Sequence, residues 1–346
     1  MVLQLKLHSC YIVCMKIYKN SLKLNIKIGA LFLIVFAAFF VNKSDNLYGW
    51  IWQTNSIKKY RRTFYRAHTE EGQPRIVLRT WQQNGHQKTL SVDPVGFKTF
   101  IDENDTLKEE RQKPLGTTPY EQALTRYTKG PYLAHNHGLN HVSAQTEGSF
   151  LTIDMCPSSK PLAKDLFEAI AMAGEHEAVP IGISMTGLWA RQHPKELAWL
   201  IKQQDEQKLA ITWINHTFHH NFIMSSKAKR WLLPSQRTEM EEILLLEKML
   251  IQKGQVPSVF FRFPGLMANA ELIKTLHEAG LIPLGSDAWL AKRQHATPGS
   301  IILVHGNGNE PEGVHMLGHM LIEKSTLNLR SLPEGVAHMM AVRAAL

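Results

Sequence analysis

The chain has 346 residues, 44% of them hydrophobic and 20% charged, with 22 Gly and 16 Pro; this suits one large domain or two ordinary ones and excludes a wholly disordered or collagen-like chain. Three cysteines, Cys10, Cys14 and Cys156, are too few for a disulfide framework or a cluster of zinc-bound thiolates. The net charge of +9 is partly local, because Lys6, Lys16, Lys19, Lys23 and Lys27 all precede one apolar run, so no nucleic-acid partner is expected.

That run, Ile28 to Val41, carries no charged or polar side chain, and Asn42-Lys43-Ser44-Asp45 follows it. Lysines before an apolar core have the layout of an export signal. The run is short for a membrane span, which needs about 20 residues, unless the span begins near Leu24. Phe39, Phe40 and Val41 stand where a cleavage site wants small residues. Residues 1–45 therefore read as a signal peptide or an N-terminal membrane anchor, with Met15 as an alternative start of the signal. Either version sends the rest of the chain out of the cytoplasm, to a periplasmic or other extracytoplasmic position. A single downstream cysteine, Cys156, suits an exported domain with no internal disulfide.

Residues 46–148 read as a small β-containing region and linker. Arg75 to Trp81 is β-rich, Asn84-Gly85 is a hairpin turn, and Gln87 to Val92 returns as a second strand. Phe97 to Arg111 is polar and charged. Lys113 to Tyr132 holds Pro114, Gly116, Pro119, Gly130 and Pro131 and reads as a linker or extended wrap. His135, His137 and His141 are expected to be polar loop residues rather than ligands.

From Ser149 the rhythm changes. Strands are expected at 149–154, 179–185, 209–214, 259–263, 281–284 and 300–304. Helices are expected at 161–173, 194–204, 238–253 and 269–280, with Thr238-Glu-Met-Glu241 as a capping box. Strand–helix alternation implies an α/β fold with a parallel sheet, and this many units favours a barrel over an open sheet. Active sites of such folds lie at the carboxyl ends of the strands. Asp154 ends the first strand, Asn215-His216-Thr217-Phe218-His219-His220 the third, Arg262 and Pro264 the fourth, and His305 the last, while Asp287 and Trp289 follow the fifth. Each has an ordinary explanation alone; their convergence on one rim is what points to a site. On a helix, His216 and His220 would share one face, as a metal pair requires.

These blocks resemble the polysaccharide deacetylases, the NodB-homology domain of carbohydrate esterase family 4. Thr152-Ile-Asp-Met-Cys-Pro157 is similar to the family's Thr-Phe-Asp-Asp-Gly-Pro strand end. His216-Thr217-x-x-His220 is similar to its His-Ser/Thr-x-x-His metal motif, Arg262-Phe-Pro-Gly265 to its Arg-x-Pro-Tyr block, and Ile301-Ile-Leu-Val-His305 to its final block. The resemblance covers about residues 149 to 335, within a domain taken as 149–346. It implies a distorted parallel (β/α) barrel, a glycan or polysaccharide substrate, and hydrolysis of N- or O-linked acetyl groups with a divalent metal, commonly zinc. It further implies that His216 and His220 hold the metal and Asp154 is the general base, paired with Arg262. His305 would be the general acid, Thr217 would orient the histidine loop, and Leu303 would line the acetyl pocket.

The chain departs from the family in three places. Met155 stands where the second aspartate binds metal, and thioether sulfur is a poor ligand in a hard site. Asn215, His219, Asp287, His315 and His319 are candidate replacements. Gly265 replaces a tyrosine, keeping only a backbone N–H as an oxyanion donor. Cys156 replaces a glycine; as a soft ligand, a nucleophile or a buried structural residue, the last is expected. The alternative to an enzyme is a catalytically silent barrel that binds glycan at the old site. Trp189, Trp213, Trp231 and Trp289 are candidate sugar-stacking surfaces, with core or rim packing expected for each.

Overall fold

The computed structural model describes residues 57–110, 117–143, 146–174, 177–221, 237–323 and 328–345. The expected signal or anchor segment, Cys10, Cys14 and Trp231 lie outside them. No helix of the described residues is long and apolar enough to cross a membrane. Residues 57–346 form one compact unit.

The first part is an antiparallel sheet of five strands, β1 (Ile57–His68), β2 (Pro74–Gln83), β3 (His86–Val92), β4 (Thr99–Glu103) and β5 (Lys108–Glu110), in the order β4-β3-β2-β1-β5. The β2–β3 hairpin turns at Asn84-Gly85, both with positive φ, as the sequence predicts. β1 escapes a period-two reading because its pairing with β2 shifts register between Lys58 and Arg61 and again between Arg62 and Tyr65. Helix α1 (Pro119–Thr128) stands inside the stretch expected to be a linker. A capping box between Thr118 and Glu121, with Pro119 at the first helical position, starts it despite the surrounding prolines and glycines.

The second part is a parallel sheet of seven strands: β6 (Phe150–Met155), β7 (Val179–Met185), β8 (Leu209–Asn215), β9 (Pro257–Phe261), β10 (Ile282–Pro283), β11 (Ala288–Trp289) and β12 (Ile301–His305). Its order is β10-β9-β8-β7-β6-β12-β11, so the last strand in sequence sits beside the first of this sheet. The helices of this part are α2 (Lys164–Ala173), α3 (Gly187–Gln192), α4 (Pro194–Asp205), α5 (Glu239–Gln252), α6 (Ala270–Ala279), α7 (Pro311–Ile322) and α8 (Leu332–Ala345). Thr238 caps α5 with the expected box, and Gly280 ends α6 in the left-handed conformation. This is the α/β architecture expected from the strand–helix alternation.

Register aligns the strand ends. Asp154 pairs across to His305 on one side and Ser184 on the other, Met185 lies opposite Asn215, and Asn215 opposite Phe261. Five separated segments of chain thus finish at one level. Away from that rim, Ile76, Leu78 and Val92 of the antiparallel sheet share a core with Val259, Ile282 and Ile301 of the parallel one. Arg79 and Glu247, both essentially without solvent exposure, form a two-pronged ion pair between β2 and α5.

Candidate active site

Asp154 and His305 end neighbouring strands, so their side chains start side by side. Arg262, fully buried just beyond β9, reaches across: Nη1 donates to Oδ1 of Asp154 at 3.1 Å and to Oγ1 of Thr152 at 2.8 Å, while Nη2 donates to the Gly285 carbonyl. Burial alone would raise the Asp154 pKa, but the charges around it, the Arg262 guanidinium foremost, outweigh it and hold the carboxyl below its ordinary value. The base expected from the sequence is therefore ionised, with Oδ2 turned from the arginine and 3.9 Å from Nε2 of His216.

The histidine segment is a loop, not a helix, which corrects the one-face argument for His216 and His220. Thr217 and His220 both adopt positive φ, and Thr217 Oγ1 accepts from the His220 amide at 3.0 Å. That tight turn, rather than helical spacing, brings the two rings to 4.7 Å at 72°. Asn215 is consumed in shaping it, accepting from the Thr217 amide and donating to the Ile243 carbonyl. Burial holds both imidazoles below their ordinary pKa, His220 at about 3, so both are neutral.

Nδ1 of His216 lies 2.8 Å from the Arg262 carbonyl oxygen. A carbonyl only accepts, so the proton is on Nδ1 and the Nε2 lone pair faces the site. A backbone carbonyl behind the ring is the usual way a metal-ligating histidine is held. Nε2 is in turn 3.5 Å from Sγ of Cys156. Cys156, His216 and His220 each offer one donor atom, all within 4.8 Å of one another, and so do Asp154, Cys156 and His305. Two neutral imidazoles and a sulfur in this arrangement fit a divalent cation of the zinc type. Burial pushes the Cys156 thiol well up, and Asp154 and Glu310 add to it, so it is no free nucleophile.

Met155 does not face this group. A Cβ added to Gly306 would lie 3.0 Å from Met155 Sδ and 3.1 Å from the Phe167 ring, which places Met155 in the layer between the sheet and α2. Alternation along the strand end turns Asp154 and Cys156 to the site and Met155 away.

A cleft of about 560 Å³ opens over these residues. Asp154, Cys156, His220, Gly265, Leu303 and His305 line it, as does the ring of Trp289; His216 and Arg262 lie behind its wall, buried. Glu310, just before α7, is the residue that strand-end reasoning missed. Its Oε2 accepts from Nε1 of Trp289 at 2.7 Å and lies 2.8 Å from Nδ1 of His305, without in-line hydrogen-bond geometry. Burial would raise its pKa, but His305 and Trp289 pull it below the ordinary value. The only sequence signal was an acidic residue five positions after the strand-end histidine. Glu242 of α5 was missed likewise; it holds His219 through both its amide and Nδ1.

Four candidate ligands fall away. Asp287 sits at the start of β12, not its end, bonded to His141, Ser300 and the Ile301 amide. His315 and His319 lie on α7 and belong to no cluster of metal-ligating groups among the described residues. His219, though in the cleft wall, is taken by Glu242. Trp189 and Trp213 are buried core residues, leaving Trp289 as the described tryptophan in the cleft. His137 is a loop histidine, its ring spanning the Leu133 amide and the Tyr127 carbonyl.

No protein-family model matches the chain. Among solved structures it is similar to a family 4 carbohydrate esterase from Bacillus anthracis, with 18% identity over 65% of this chain and 95% of that one and a TM-score of 0.44. PdaA, a family 4 carbohydrate esterase of Bacillus subtilis, gives 15% identity over 68% and 92%, TM-score 0.42. A CE4 family pseudoenzyme from Bacillus anthracis gives 12% over 72% and 83%, TM-score 0.43.

Proposed function

We propose that this chain is an exported, metal-dependent hydrolase that removes N- or O-linked acetyl groups from a polysaccharide or cell-envelope glycan. The observation that carries the reading is one cleft lined by an arginine-held carboxylate, a carboxylate-backed imidazole and His220, with His216 buried in the wall behind them. The likeness of the four sequence blocks to polysaccharide deacetylases agrees with it. So do the lysines and apolar run of residues 1–45, which support export.

A divalent cation held by His216 and His220 would acidify a water and polarise the acyl oxygen. Asp154 takes the proton of the attacking water at Oδ2, since Oδ1 is engaged by Arg262. The ion pair keeps that carboxylate charged until the proton arrives. Gly265 offers its backbone N–H to the tetrahedral oxyanion. His305 protonates the departing amine or alkoxide, and Glu310 beside Nδ1 steadies the charged ring. Leu303 provides an apolar floor for the acyl methyl, and Trp289 a flat ring on which a sugar can stack.

The test is acetate release from acetylated sugar oligomers by the full chain. Wild type is expected to release acetate, and His305→Ala to release about 100-fold less or weaker still. Oligomer binding without any release, across amide- and ester-linked substrates and added zinc, cobalt or nickel, would replace the hydrolase with a glycan-binding barrel.

A further inference from the structure

We infer that Sγ of Cys156 is the third protein ligand of the cation held by His216 and His220, making a Cys-His-His centre with its fourth position open to the cleft. This rests on the metal-dependent reading above and goes beyond it by naming the residue that does the work Met155 cannot.

The geometry carries it. Thiolate sulfur and imidazole nitrogen bind zinc at about 2.3 and 2.0 Å, and two such bonds at a tetrahedral angle set the ligand atoms about 3.5 Å apart. The Cys156 Sγ to His216 Nε2 distance is 3.5 Å. In the cation-free protein the same distance suits the thiol donating to the Nε2 lone pair; that contact alone gives no reason for His220 to converge on the same point.

The backbone bearing the sulfur is pinned from three directions. Thr186 Oγ1 donates to the Met155 carbonyl at 2.7 Å, Asn307 Nδ2 to the Cys156 carbonyl at 2.5 Å, and His193 Nε2 to the Ser158 carbonyl at 2.7 Å. Placement of a donor atom by fixed carbonyls is what a preorganised ligand needs.

The arrangement leaves Asp154 out of the ligand set. With Met155 turned away, Asp154 need not bind the metal as well, and it serves only as base. Binding displaces the thiol proton to solvent, one proton per ion, as the sulfur–metal bond forms. A sulfur ligand also sets the choice of metal: zinc and cobalt(II) are accepted, while magnesium and calcium, which want oxygen, do not compete.

The experiment is spectroscopic and needs no turnover. The full chain, stripped with chelator, is titrated with cobalt(II) and read for stoichiometry and for the thiolate-to-cobalt charge-transfer band. One ion per chain with that band is expected, unaffected by excess magnesium. Cys156→Ser should lose the band and bind about 10–100-fold more weakly; Cys156→Asp should restore affinity without the band. Sulfur in the X-ray absorption fine structure of the wild-type zinc or cobalt complex gives the same answer without relying on the folding of a variant. One ion bound with no sulfur signature overturns the Cys156 assignment and leaves the hydrolase reading standing. No ion bound at all overturns both.

Discussion

Two buried arginine–carboxylate pairs sit in different parts of this protein, and they are built differently. Between β2 and α5, Arg79 grips both oxygens of Glu247, at 2.7 and 2.8 Å, and its remaining donor reaches the carbonyls of Leu78 and Ala279. Tyr60 adds a further hydrogen bond to the same carboxylate. At the rim, Arg262 touches a single oxygen of Asp154, its two terminal nitrogens also reach Thr152 and Gly285, and its Nε makes no hydrogen bond. The first pair is saturated and joins the antiparallel sheet to α5. The second is deliberately incomplete in chemical terms: charge is balanced, yet one carboxylate oxygen stays available to a proton.

The largest effect expected from breaking this comparison is at the rim. Asp154→Asn keeps the shape and the arginine contact but removes the base, so acetate release should fall about 100- to 10,000-fold; release within a few-fold of wild type would strip Asp154 of that role. Next comes Glu247→Ala, which strands the Arg79 charge in the interior. Denaturant unfolding should show about 3–5 kcal/mol lost, with the surviving folded protein as active per molecule as before. If activity per folded molecule collapses instead, the two pairs are not independent.

A smaller effect is expected at the cleft wall. Trp289→Ala removes a stacking surface, and about 1 kcal/mol of binding should go with it. Steady-state kinetics should show this mainly as a higher KM; a fall confined to kcat would point to disturbance of His305 through Glu310.

The smallest concerns a third pair, Arg66 with Glu121 at the start of α1. Burial would raise the Glu121 pKa, but the Arg66 and Thr118 hydrogen bonds outweigh it and leave it lowered from 4.5. The unfolded chain binds that proton first as pH falls. The stabilisation is therefore complete above about 4.5 and is lost as pH drops through the lower folded value. Melting curves from pH 6 downward should show it, and Glu121→Gln should flatten the acid limb. An unchanged limb would mean that Glu121 adds nothing to acid sensitivity.

Much of the parallel half was legible in the sequence because buried strands and amphipathic helices write their period into the chain, and α/β folds place chemistry where strands end. Asp154, His216, His220, Arg262 and His305 follow from that. Elements whose period is broken were not legible. β1 hides behind two register shifts, and α1 behind a run of prolines and glycines that its capping box overrules. Asp287 was read as following the strand expected at 281–284, but the unforeseen strand β11 begins at the next residue, so Asp287 stands ahead of a strand rather than at the end of one.

The sequence by itself determined which of these residues stand at the ends of strands, since strand-end position follows from local patterning. Tertiary structure alone decided which way each one faces. Phe167 and the bare Cα of Gly306 make room for Met155 on the far side of the sheet, and the alternation of the chain then turns Cys156 inward. Glu310 reaches the site from just before α7 and Glu242 from within α5, positions that strand-end patterning does not point to. Side-chain direction at a strand end is set by what packs against the next residue, and that partner lies far away in sequence.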